Sequence, residues 1–77
     1  MWMSLAERAA IVTGVDSTEE LHFLTSQKRR RLAAAIGGIR LERVPLEELN
    51  ELLALLSCSR EADARLARAQ LMQILNA

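Results

Sequence analysis

Helix-stopping residues divide this chain of 77 residues into short pieces and so limit it to short helices. Gly14 can take the left-handed conformation that ends a helix, a second helix ends before Gly37 and Gly38, and Pro45 suits the first position of a new helix. Between these points the sequence holds 14 Leu and 12 Ala but only two aromatic residues, a composition that favours helices over strands. The sequence therefore predicts an all-α fold, a small bundle of three to four short helices in one domain over residues 1–77.

Serines mark three of the predicted helix starts. Ser4 stands three positions before Glu7, and Ser17 three positions before Glu20. This is the spacing of a capping box, in which the serine hydroxyl accepts a backbone N–H and the glutamate reaches back to the serine backbone. Ser59 is the predicted N-cap of the last helix. The predicted helices run from Leu5 to Thr13, from about Thr18 to the residue before Gly37, from Leu46 to Leu56, and from Arg60 to about Asn76.

The third predicted helix is the most clearly amphipathic. At about 100° per residue its leucines gather on one face, with acidic and polar side chains opposite. Residues 39–44 before it alternate apolar and charged side chains like a strand, but a lone strand has nothing to pair with, so we predict a connector. The last helix carries a wide apolar arc and a second, smaller set that includes Leu66 and Met72. Two apolar sides indicate two contacts, one of them outside the monomer.

The small size of the chain bears on its assembly. A domain of about 60 residues buries only about 60% of its unfolded surface. In such a small domain the free energy gained by burial barely exceeds the conformational entropy lost on folding. The single Cys58 cannot form an internal disulfide to stabilise the fold. We therefore expect the surplus apolar surface to be buried in a homodimer.

The same cysteine count favours a reducing compartment. No apolar run approaches the roughly 18 residues that a membrane span needs. Glu7 and Arg8 interrupt the only candidate core of a signal peptide. These features predict a cytoplasmic protein with no membrane contact.

Four consecutive cations, Lys28–Arg31, form the most conspicuous charged motif. On a helix they spread through about 300°, so they cannot all lie on the solvent face. If Leu21 marks the apolar face of the second helix, Lys28 falls within that face. Either the helix is broken near Thr25 and Ser26, or Lys28 extends to solvent or pairs with an acid. The run is then a solvated face, a contact for an acidic protein, or a contact for nucleic-acid phosphate.

Nucleic-acid binding is the main alternative function. The stretch from Gln27 to Gly37 resembles the opening of helix-turn-helix repressors. No recognition helix fits between Gly37 and Pro45, and the helix after Pro45 has an acidic solvent face that phosphates would repel. We therefore do not place the chain in that family, and keep the alternative of a small nucleic-acid-binding or transcription-regulating protein that uses Lys28–Arg31 on a dimer.

Metal and catalytic motifs are sparse. Glu19 and His22 have the E-x-x-H spacing of half a di-iron site, but both project to the polar side of the predicted helix. One His and one Cys leave too few usual ligands for tetrahedral zinc. Cys58 lies between two serines with no base implied beside it. We predict no enzyme activity, no metal and no cofactor.

These patterns together favour a non-enzymatic protein-interaction module, such as a small adaptor, co-chaperone, inhibitor or regulatory subunit. Residues 28–43 carry six cations and one anion, and the segments on both sides are net acidic, so the neutral chain is segregated in charge. We expect a Leu-rich helix face and the basic patch to bind an unidentified protein partner. The predicted partner-binding residues are Lys28, Arg29, Arg30, Arg31, Trp2, Leu66 and Met72.

Overall fold

The computed structural model describes residues 3–76, and Trp2 lies outside them. Within this range the chain forms four α-helices and two 3-10 turns with no strand, which confirms the all-α prediction. The helices are α1 (Leu5–Thr13), α2 (Ser26–Gly37), α3 (Leu46–Ser57) and α4 (Ala64–Leu75), with 3-10 turns at Thr18–Phe23 and Leu41–Arg43.

Helix α1 begins and ends at its predicted residues. The Ser4 hydroxyl accepts a 3.1 Å hydrogen bond from the backbone N–H of Glu7. The Glu7 carboxylate accepts from the same hydroxyl at 3.1 Å, whereas we predicted that it would reach the backbone N–H of Ser4. At the other end Gly14 has a φ of 78°, in the left-handed region that favours glycine, and its N–H donates to Ala10.

The prediction of one helix from Thr18 was wrong, and the alternative of a break at Thr25 is confirmed. The chain first forms the 3-10 turn and then becomes extended at Leu24 and Thr25. The Thr25 hydroxyl accepts a 3.2 Å hydrogen bond from the backbone N–H of Lys28, so α2 starts at Ser26 with its own N-cap. The break separates Lys28 from the helical face that Leu21 would otherwise share with it.

The predicted start of the last helix was also wrong. Helix α4 begins at Ala64, and Asp63 rather than Ser59 is its N-cap, accepting from the backbone N–H of Arg65 at 2.6 Å. The physical reason lies on α3. The Asn50 side chain donates to the carbonyl of Glu61 at 2.8 Å and accepts from its N–H at 2.9 Å. Both backbone groups of Glu61 are therefore engaged outside a helix, which delays the start of α4.

Helix α3 lies at the centre of the bundle. It packs against α1, α4 and the first 3-10 turn, while α2 packs against α1 and α4. The prediction that α3 buries its leucine face is confirmed, because Leu49, Leu52 and Leu53 are completely buried. The connector over residues 39–44 is not a strand, as predicted, and holds the second 3-10 turn. The core consists of Leu5, Ala9, Leu21, Leu32, Ile36, Leu41, Leu49, Leu52, Leu53, Ala67, Leu71 and Leu75.

None of the helices found between residues 3 and 76 has the length and apolar character needed to cross a membrane.

Candidate functional site

The seam between α1 and α2 is tightly packed. Leu5, Ala9 and Val12 of α1 meet Leu32 and Ile36 of α2 around a gap of only about 20 Å³. The N-terminal end of α1 therefore lies beside the C-terminal end of α2 and the connector that follows it. Beside this seam the two elements line a groove that has two parts.

The lower part of the groove has a volume of about 520 Å³. Three arginines line it: Arg8 from α1, and Arg40 and Arg43 from the connector. The second 3-10 turn positions the last two, because Leu41 between them is buried in the core. The remaining lining residues are Met3, Leu5, Ile39, Val44, Pro45 and Glu48.

The upper part has a volume of about 370 Å³ and is almost entirely apolar. Its lining residues are Met3, Arg8, Ile11, Val12, Ala35 and Ile39. Met3 is 41% exposed and Ile11 is 65% exposed, which is high for large hydrophobic side chains. Both parts share Met3, Arg8 and Ile39, so they form one continuous surface, here called the arginine groove.

The charge of the arginine groove is positive. Its lining holds three arginines and one carboxylate, Glu48, for a net charge of plus two. That carboxylate is already engaged, because it accepts a 2.9 Å hydrogen bond from the backbone N–H of Leu5. Among residues 3–76 no side-chain hydrogen bond involves a guanidinium group. Each guanidinium offers five N–H donors, so the groove presents many donors. They lie beside the apolar side chains of the upper part, here called the apolar floor: Met3, Ile11, Val12, Ala35 and Ile39.

The four residues of the predicted basic patch differ in exposure. Lys28 and Arg29 are half-buried, whereas Arg30 and Arg31 are exposed. The four side chains leave α2 in different directions, as the helical period requires. None of them lines the arginine groove.

Of the other predicted partner-binding residues, two lie on α4 and one lies outside the described residues. On α4, Leu66 is 53% exposed, and Met72 is half-buried and packs against the core. Trp2 lies outside the described residues, next to Met3 in the sequence. None of the described members of the predicted set lines the arginine groove.

Sequence reasoning missed the three arginines of the groove. The excess of cations over residues 28–43 includes Arg40 and Arg43. This excess could have indicated those two arginines as binding residues, in addition to the run Lys28–Arg31. Nothing in the sequence points to Arg8, which reaches the site only because α1 packs beside the end of α2.

The candidate metal and nucleophile residues lie on the surface. Glu19, His22 and Cys58 are all exposed. Across residues 3–76, no three His, Cys, Asp or Glu side chains are grouped to hold a metal ion.

Comparisons with known proteins do not assign this chain to a family. No family model matches it, and searches of curated proteins and of solved structures find no match either. What the protein does is therefore inferred from the chemistry of its surface.

Proposed function

We propose that this chain is a non-enzymatic protein-interaction module, of the adaptor, co-chaperone, inhibitor or regulatory-subunit kind, and that it binds a protein segment in the arginine groove. One observation carries the proposal: exposed Met3 and Ile11 line the same groove as three arginines whose guanidinium groups have no side-chain hydrogen-bond partner among the described residues. An acidic, amphipathic segment complements such a surface, with its apolar side chains on the floor and its carboxylates on the arginines.

The exposure of the groove favours a protein over a small molecule. Small-molecule sites are concave and bury about 70–90% of the ligand surface. Here Ile11 stands 65% exposed along the upper part, so that part is a surface rather than an enclosed cavity. A polypeptide segment that extends along both parts has the length to cover them.

The arginine groove replaces the Leu-rich helix face that the sequence suggested for this role. Leu49, Leu52 and Leu53 of α3 are completely buried, and the other leucines of this helix are partly buried against the core, so the face offers little exposed area. We assign the exposed Arg30 and Arg31 a secondary role, which is to attract the acidic partner before it binds in the groove. Cations outside a contact raise the rate of encounter with an acidic partner more than they raise affinity.

We further propose that the protein is a homodimer and acts in the cytoplasm. The small size of the chain and its segregated charge support self-association. The single cysteine supports a reducing compartment. Light scattering tests the assembly, with an expected mass of twice 8.6 kDa.

Affinity capture from the host cell extract tests the interaction. The immobilised wild-type protein is compared with Ile11→Asp and Arg40→Glu in the groove and with Arg65→Glu, an exposed control on α4. We expect a co-purifying protein that wild type and the control retain and that both groove variants lose. Identical captured proteins for all four samples would contradict the proposal.

Nucleic acid is the alternative ligand for the same cations. Phosphate contacts need arginines but not an exposed apolar floor, which favours protein. If nucleic acid is the ligand, duplex DNA is retained at about 50 mM salt and released steeply as salt rises. Retention that is lost on reversing Arg8, Arg40 and Arg43 would favour this alternative.

A further inference from the structure

A second surface of the chain has the chemistry that the arginine groove fits. It is the acidic turn, residues 16–23, which contains the first 3-10 turn. Asp16 and Glu19 are exposed on it, and Phe23 is 80% exposed, the highest value among the large hydrophobic side chains that the structure describes. An exposed aromatic ring beside carboxylates is the combination expected of a segment that docks in an apolar groove edged by cations.

The conformation of the acidic turn is fixed from within. The Glu20 carboxylate accepts hydrogen bonds from the backbone N–H groups of Asp16 at 2.9 Å and Ser17 at 3.0 Å. Leu21 is buried in the core and anchors the turn. The ring of His22 meets that of Phe23 edge to face, with centroids 4.9 Å apart. A segment that is ordered before binding loses less conformational entropy on binding.

The turn does not occupy the groove of its own chain. No residue between 16 and 23 lines either part of the arginine groove. The turn packs against α1 and α3, and its buried Leu21 holds it there. The two complementary surfaces of this chain can therefore meet only between two copies.

We infer that the acidic turn of a second copy occupies the arginine groove. Phe23 of one copy then covers Met3 and Ile11 of the other, while Asp16 and Glu19 face the guanidinium groups. The charges correspond, since the turn carries three carboxylates and the groove lining has a net charge of plus two. A two-fold axis lets each copy give its turn and receive its partner's, which closes a dimer through two identical contacts.

This inference rests on the proposed function, because it places a specific occupant in the same groove. It also means that two ligands compete for the groove. A foreign acidic segment and the turn of the second copy would use the same arginines, so binding of the foreign partner would displace the homodimer.

Charge exchange between the two surfaces tests the inference. A groove variant, Arg40→Glu with Arg43→Glu, places carboxylates opposite those of the acidic turn, so the two surfaces repel each other. A turn variant, Asp16→Arg with Glu19→Arg, sets base against the basic groove and leaves the Glu20 cap in place. Each variant alone is expected to raise the dimer dissociation constant by about tenfold or more and to shift the light-scattering mass towards 8.6 kDa.

An equimolar mixture of the two variants is the decisive sample. In the mixed dimer one contact is of the wild-type kind and the other has both charges reversed, so both are attractive. We expect the mixture to recover the mass of a dimer. Variants that remain dimeric alone, or a mixture that remains monomeric, would overturn the inference.

Two further samples keep the result independent of net charge and of folding. Arg30→Glu with Arg31→Glu reverses the same number of charges outside the groove and is expected to remain dimeric; its dissociation would count against the inference. Phe23→Ser removes the exposed ring and is expected to weaken the dimer without loss of helical circular dichroism. If the wild type is a monomer at all concentrations the inference fails, while capture by the groove still decides the proposed function.

Discussion

The side-chain carboxylate of Glu48, in the first turn of α3, accepts a 2.9 Å hydrogen bond from the backbone N–H of Leu5, the first residue of α1. The first N–H groups of a helix have no partner within the helix. Here one is satisfied by a side chain from another helix, 43 positions away in the sequence. The bond ties α1 to α3 at the base of the arginine groove.

Removing this bond should lower stability. Glu48→Gln leaves a weaker, neutral acceptor and Glu48→Ala leaves none, so we expect Glu48→Ala to lower the free energy of unfolding by about 1–2 kcal/mol and Glu48→Gln by less. Urea denaturation measures both. Glu47→Ala, at an exposed position of the same turn, is the control and should change stability by about 0.5 kcal/mol or less. Equal losses at both positions would show that the bond to Leu5 contributes nothing specific.

The paired hydrogen bonds between Asn50 and Glu61 should be as sensitive. Asn50→Asp keeps an acceptor for the N–H of Glu61 but sets a carboxylate against its carbonyl, and Asn50→Ala removes both bonds. Because the site is partly buried, we expect each variant to lower the free energy of unfolding by about 1–3 kcal/mol. Glu51→Ala, exposed on the same helix, is the reference. Hydrogen exchange at the Glu61 amide should accelerate in Asn50→Ala, which removes the acceptor of that N–H, and not in Glu51→Ala.

Cys58 occupies a position that suits glycine. Its φ is 58°, and it is the only residue other than glycine with a positive φ in the described part of the chain. Cys58→Gly should therefore raise the free energy of unfolding by about 0.5–1 kcal/mol, whereas Cys58→Ala keeps the unfavourable backbone and should not.

Gly14 allows the reverse substitution, in which a side chain is added at a residue with a left-handed backbone. A Cβ there would have no atom within 4 Å, so any cost of Gly14→Ala comes from its φ of 78° alone. We expect Gly14→Ala to destabilise the fold by about 1 kcal/mol in thermal or urea denaturation. A neutral result at both positions would mean that left-handed geometry carries no cost in this fold.

Leu53 on α3 and Leu66 on α4 should differ sharply in the stability lost when each is replaced by alanine. Leu53 is completely buried, so Leu53→Ala is expected to lose about 2–5 kcal/mol, a large part of the stability of a small domain. Leu66 is 53% exposed, and Leu66→Ala should change stability by about 0.5 kcal/mol or less. A substantial destabilisation by Leu66→Ala would mean that a second copy covers this residue in the folded assembly.

Local signals account for the parts of the fold that the sequence predicted correctly. Ser4 and Gly14 bound α1, and Pro45 precedes α3, so interactions within a few residues decide these helices. The start of α4 depends instead on Asn50, which holds Glu61 from another helix. No pattern within the residues around Ser59 contains that information.

The arginine groove was beyond sequence reasoning for the same reason. Arg8 and Arg40 stand far apart in the chain and face the same space only after α1 packs beside the end of α2. The run Lys28–Arg31 was conspicuous because its members are consecutive, yet consecutive residues on a helix point in different directions. Proximity in sequence was therefore a poor guide to proximity on the surface.

The central place of α3 has a consequence for how this chain turns over. Because α3 packs against α1, α4 and the first 3-10 turn, moving any of them away exposes its leucines to water. Local opening is then nearly as unfavourable as complete unfolding, so the chain should behave as one cooperative unit in hydrogen exchange. A protease would cut it mainly in the globally unfolded state, and any ligand of the folded groove would lengthen the lifetime of the whole chain.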